Sequence, residues 1–175
     1  LWRQLVEAKW ENGAGDSLRR LTNSGGALTP DLIDAMQKTW PRADIFPMYG
    51  LTEAFRSTFL DPSLVATHPT SMGTAVPFAE VLVVDETGGP AEPGEEGELV
   101  HCGPLVAQGY WQDEVRTAER FKPAPAHSEY GGTAVWSGDY VRRSEGGLLF
   151  FVGRRDAMIK SAGNRISPQE IEDAA

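Results

Sequence analysis

Two textures meet in this chain, and the change between them limits the folds open to it. Up to about residue 70, helical and strand patterns alternate. Leu1–Trp10 reads as the end of a helix, and Leu18–Asn23 reads as a strand running into Ser24-Gly25-Gly26-Ala27. Thr29 is placed to cap a second helix, with Pro30 at its first position and an apolar face of Leu32, Ile33, Ala35 and Met36. Pro41 stops that helix, and Asp44–Met48 reads as a buried strand ending at Tyr49-Gly50. Such alternation implies a parallel α/β sheet, on which ligands bind beyond the carboxyl ends of strands.

From about Ser71 the pattern becomes short strands with glycine-rich turns. Val81–Val84, Gly97–Cys102, Val135–Ser137, Tyr140–Arg143 and Leu148–Val152 are the strands expected, forming an antiparallel, barrel-like module. One helix interrupts them, with Asp113 as its cap and Val115, Ala118 and Phe121 on its inner face. The expected fold is therefore α/β: part of a parallel sheet subdomain (1–75), an antiparallel barrel-like subdomain (76–152), and the start of a small α+β domain (153–175).

Composition narrows the function. The net charge of −9 is concentrated in residues 76–150, which argues against a nucleic-acid partner. The single cysteine, Cys102, excludes an internal disulfide and any multi-cysteine metal site. No apolar run reaches the roughly 20 residues needed to span a bilayer, so a cytoplasmic location is expected. Against that acidic background the final stretch, Gly153–Glu172, holds Arg154, Arg155, Lys160 and Arg165 around glycines. It closes on Ser167, Pro168 and Glu170, a capping-box helix start. A basic glycine-containing loop before a capped helix suits a phosphorylated ligand.

Tyr49-Gly50-Leu51-Thr52-Glu53 follows the strand just described. Taken alone it is an ordinary helix start, with Thr52 as the cap. Ser137-Gly138-Asp139 taken alone is a hairpin acid facing solvent, and Gly97-Glu98-Leu99 through Gly109-Tyr110-Trp111 reads as turn, strand and a packing aromatic pair.

In this order and at these separations, the blocks resemble those of adenylate-forming enzymes: acyl-CoA synthetases, amino-acid adenylation domains and luciferases. The resemblance covers residues 18–175. It implies that Tyr49 stacks on adenine, that Thr52 contacts the α-phosphate and that Glu53 holds Mg²⁺. It also implies that Gly25, Gly26 and Ala27, with Gly50, line the nucleotide site. Asp139 would accept both ribose hydroxyls, Ser137 standing where the family usually has threonine. Arg154 would reach ribose and phosphate, and Asp156 would be the hinge on which the small domain turns. Lys160, Gly163 and Arg165 match the loop used in the thioester step. For Arg155 a solvated basic position is expected.

The reaction implied is that of an AMP-forming acyl-CoA synthetase, with ATP, Mg²⁺, CoA and a small carboxylic acid as cofactors and partners. The rivals are an amino-acid adenylation domain and a nucleotide-binding module of the same fold without turnover. The chain reads as the central-to-hinge portion of the longer enzyme. The phosphate loop is expected before Leu1 and the catalytic lysine after Ala175, and the 175 residues alone are expected to be inactive.

Overall fold

A computed structural model describes residues 1–155 except 9, 11, 12 and 14, and beyond them the backbone of two short strands, β10 (Ile159–Ser161) and β11 (Asn164–Ile166). The elements before these are α1 (Trp2–Glu7), β1 (Arg20–Asn23), α2 (Pro30–Thr39), β2 (Asp44–Leu51), β3 (Ala54–Phe59), β4 (Ser71–Ala75) and β5 (Glu80–Val84). They continue with β6 (Glu96–Cys102), α3 (Glu114–Arg120), β7 (Phe121–Pro123), β8 (Thr133–Arg143) and β9 (Leu149–Arg154).

The strands run in the order β1-β2-β3-β4-β9-β8-β6-β5, with β7 paired to β8. Among the described residues only β1 and β2 are parallel; every other pair is antiparallel. The α/β expectation holds, but the parallel character is limited to that first pair, because β2 turns straight back as a hairpin into β3. The path is open among the described residues, so no closed barrel forms there.

Local chemistry accounts for the elements. Thr29 Oγ1 accepts the Leu32 N–H at 3.4 Å, capping α2 behind Pro30. Ile33, Met36 and Trp40 then bury their side chains against Leu21, Ile45, Leu60 and Val65, which fixes α2 on the β1–β2 pair. A second core of Met72, Val83, Leu99, Val141 and Leu149 lies beneath the antiparallel strands, and the Tyr49 ring packs against it. Val84 and Val100, each one residue further on, belong to a third cluster, as strand alternation requires.

Three local expectations change. Thr52 and Glu53 are the two turn residues of the β2–β3 hairpin, with Leu51 paired to Ala54, and not a helix start. The two strands expected at 135–143 are one strand, β8, irregular around Gly138. Val115 is 74% exposed and Ala118 is exposed as well, because α3 is a single short surface helix held by its Asp113 cap. Only Phe121, already in β7, reaches the interior. Among the described residues, no helix is long and apolar enough to cross a membrane.

Candidate nucleotide site

The site is built where β2 passes the irregular centre of β8. Tyr49 lies near the end of β2, and its phenol donates a hydrogen bond to Asp139 Oδ2 on β8. Arg154 Nη1, on β9, stands 3.1 Å from Asp139 Oδ1. Register explains this pairing, since Asp139 lies directly opposite Arg154 across the β8–β9 ladder. Three residues that are far apart in the chain therefore meet at one carboxylate, itself only 5% exposed.

Gly138 makes the geometry possible. Its φ of +72° is in the left-handed region that glycine occupies without penalty, and there the strand turns Asp139 toward Tyr49. The bend is tied down on its N-terminal side. Ser137 Oγ donates to the Leu99 carbonyl at 2.6 Å and accepts the Asp139 N–H at 3.0 Å. Arg120 Nη1 donates to the Ser137 carbonyl.

Burial, then the neighbouring Asp139 charge, pushes the Tyr49 phenol well above the ordinary tyrosine range, so it stays a protonated donor. On its other side the Tyr49 ring stacks on His101, with centroids 5.9 Å apart and planes at 19°. His101 is 1% exposed and both its ring nitrogens lack a hydrogen-bond partner. Burial pushes its pKa down to about 4, which leaves a neutral imidazole behind the tyrosine.

Gly50 has a separate steric reason. The ladder shifts between Tyr49 and Leu51, and a Cβ at Gly50 would stand 2.2 Å from the Arg56 backbone nitrogen. The hairpin tip beyond it presents an exposed Thr52 and a half-buried Glu53. The Tyr110 phenol donates to Glu53 Oε1, and the Ala107 N–H donates to the Glu53 carbonyl at 2.8 Å. The segment before α3 thus clamps the turn. Tyr110 also packs edge-on against Phe121 at 5.5 Å, whereas Trp111, expected to pack beside it, is 89% exposed.

A carboxylate at a hairpin tip suits a hard cation such as Mg²⁺, which takes one or two carboxylates and completes its shell with water and phosphate oxygens. Glu53, half-buried at that tip, is a carboxylate of the kind such a cation takes. Gly25, Gly26 and Ala27 are exposed just after β1, whose last residue, Asn23, pairs with Pro47 two positions before Tyr49. That register sets the small-residue turn beside the end of β2.

Two charged groups at the site were given no role there from sequence. Glu98, 5% exposed on β6, accepts the Gly138 N–H on Oε1 at 3.0 Å. Its Oε2 stands 3.1 Å from Arg155 Nη2, so Arg155 is not merely a solvated basic residue. Glu98, Arg120, Lys122, Trp136, Arg154 and Arg155 line an open pocket of about 220 Å³ on this side of the bend. Asp156 and Gly163 lie outside the described residues. For Lys160 and Arg165 only the backbone is described, where they pair across β10 and β11.

The chain as a whole is similar to known proteins. A family model described as an AMP-binding enzyme matches residues 1–111. The chain is 36% identical over 166 residues to phosphinothricin tripeptide synthetase PhsB of Streptomyces viridochromogenes, covering 90% of this chain and 13% of that protein. It is 33% identical over 137 residues to the D-alanine–D-alanyl carrier protein ligase of Lacticaseibacillus casei, covering 76% of this chain and 26% of the ligase. In fold it superposes with a TM-score of 0.81 on the O-succinylbenzoate coenzyme A synthetase of Bacillus subtilis in complex with ATP and magnesium ion. That match has 24% identity and covers 98% of this chain and 34% of the other. The chain belongs to the AMP-binding enzyme family, the adenylate-forming enzymes. It spans about a third or less of the length of each of these proteins.

Proposed function

We propose that this chain is the central-to-hinge part of an enzyme that joins a carboxylic acid to ATP and then to a thiol. In the first step a carboxylate oxygen attacks the α-phosphorus, and the bond to pyrophosphate breaks. In the second a thiol sulfur attacks the acyl carbon, and AMP leaves with the electrons of the acyl–oxygen bond. The convergence of Tyr49, Asp139 and Arg154 is the observation that carries this reading.

Each role follows from what the group can do. The Tyr49 ring offers a flat face to adenine, with Gly25, Gly26, Ala27 and Gly50 allowing close approach. Asp139 has two acceptor oxygens suited to a vicinal diol; Oδ2 now accepts the Tyr49 phenol and Oδ1 is ion-paired with the Arg154 guanidinium. Arg154 and Thr52 would meet phosphate oxygens, and Glu53 would hold Mg²⁺, whose charge offsets the repulsion between two approaching anions. Asp156 would serve as the hinge, with Lys160, Gly163 and Arg165 acting in the thioester step. On this reading residues 1–75 and 76–152 are successive parts of the large domain, and 153–175 open the small one.

For the thiol there are two readings. Coenzyme A makes the protein an AMP-forming acyl-CoA synthetase, the reading preferred from the overall resemblance. A carrier-protein thiol makes it an amino-acid adenylation enzyme, and the two curated relatives, a peptide synthetase and a carrier-protein ligase, favour that alternative. Pyrophosphate exchange into ATP by the full-length enzyme, screened over amino acids and other carboxylic acids, tests the first step. Exchange with at least one acid is expected, and none with any acid would overturn the proposal. Thioester formation with free CoA then decides between the acceptors.

A further inference from the structure

Glu98 carries a buried carboxylate that takes no part in the roles just assigned. Oε1 accepts the Gly138 N–H at 3.0 Å, and Oε2 faces Arg155 Nη2 at 3.1 Å. The Arg155 N–H closes the circuit by donating to the Gly138 carbonyl at 2.7 Å. Both backbone polar groups of Gly138 are therefore held, one by Glu98 and one by the residue that Glu98 anchors. The ladder between β6 and β8 shifts register between Glu98 and Val100, so the hydrogen bond from Gly138 reaches a side chain instead of a strand partner.

Asp139 is the next residue after Gly138, and Arg154 is the residue before Arg155. The two adjacent arginines divide between two acids: Arg154 to Asp139, Arg155 to Glu98. One acid faces Tyr49; the other fixes the peptide from which the first one springs.

We propose that Glu98 is a positioning residue for Asp139: through Gly138 and Arg155 it sets the direction of the carboxylate that takes the ribose hydroxyls. This rests on the ribose role given to Asp139 above. A carboxylate that accepts a backbone N–H on one oxygen and is ion-paired on the other holds a backbone bend more firmly than a neutral group of the same shape. Glu98→Gln keeps an acceptor for Gly138 but turns an amide toward Arg155. Arg155→Met removes the cation from the exposed side and leaves Glu98 in place.

The readout is discrimination between ATP and 2′-deoxyATP in pyrophosphate exchange by the full-length enzyme, taken as the ratio of their kcat/KM values. Asp139→Asn, which weakens the acceptor directly, is expected to lower the ratio about tenfold or more, as loss of one charged hydrogen bond does. Glu98→Gln and Arg155→Met are expected to lower it by a similar factor, and Arg155→Lys to restore part of it. A purely structural Glu98 would lower the melting temperature and the rates with both nucleotides, leaving the ratio intact; that result overturns the proposal. If Glu98→Gln does not fold, the Arg155→Met ratio decides the matter on the same terms. A ratio unmoved by Asp139→Asn rejects the ribose reading and with it the role of Glu98. A ratio moved only by Asp139→Asn rejects the role of Glu98 alone.

Discussion

The Tyr49 phenol is hydrogen-bonded to the Asp139 carboxylate across a gap of 90 positions in the chain. The bond joins the parallel β1–β2 pair to the antiparallel strands that follow it. Tyr49→Phe removes the donor and keeps the ring. Loss of a hydrogen bond to a charged group costs about 2 kcal/mol. The variant is therefore expected to unfold at lower urea with an unchanged m-value. It is also expected to retain most of its affinity for ATP, because the stacking face survives. Urea titration and the KM for ATP check the two halves separately.

His101 is expected to make the fold acid-sensitive. Its pKa falls from 6.5 to about 4 on burial, so between those values the unfolded chain binds more protons than the folded one. Stability therefore falls as pH drops through that window, by about 3 kcal/mol at pH 4 relative to pH 7. At pH 7 the folded state is neutral and the unfolded state mostly so, and the contribution is only a few tenths of a kcal/mol. His101→Phe keeps a ring against Tyr49 and removes the proton site. Its stability between pH 7 and pH 4 is expected to fall less steeply, as measured by denaturation at several pH values.

Gly50→Ala places a methyl group where the Arg56 backbone nitrogen already is, at 2.2 Å. Backbone cannot swing aside as a side-chain tip can, so the hairpin must shift. The expected cost is about 1–3 kcal/mol, as for overpacking in general. ATP-dependent activity is expected to fall more than stability does, because the same hairpin carries Thr52 and Glu53. Thermal melts and pyrophosphate exchange on the same preparation check the comparison.

The Tyr110 phenol, held protonated by burial and by the neighbouring Glu53, orients that carboxylate. If Glu53 holds Mg²⁺, removing its outer-shell partner weakens the metal. Tyr110→Phe is expected to raise the half-saturating Mg²⁺ concentration about tenfold, with little change at saturating metal. A magnesium titration of pyrophosphate exchange checks it.

Sequence showed the elements more clearly than their partners. Thr29-Pro30 marked the start of α2, and β5 and β6 were visible as short strands set off by glycine-rich turns, because capping and turn residues are local signals. Thr52-Glu53 was not recognisable as a hairpin turn, since its strands differ in kind: β2 reads as an apolar run, whereas β3 reads Ala-Phe-Arg-Ser-Thr-Phe. Asp139 stood out through its motif, but Glu98 lies 40 positions from Gly138 and Tyr110 lies 57 from Glu53. A glutamate in a strand looks solvated until the register of β6 against β8 turns it inward. Arg155 looked solvated for the same reason: its partner is supplied by a non-local pairing.

The most direct measurement is a crystal structure of the full-length enzyme with AMP bound. Adenine against the Tyr49 ring, with the ribose hydroxyls within hydrogen-bond distance of Asp139 and the phosphate on the Thr52 and Arg154 side, is the predicted result. AMP bound elsewhere, with the Tyr49–Asp139–Arg154 cluster intact and untouched, would contradict it.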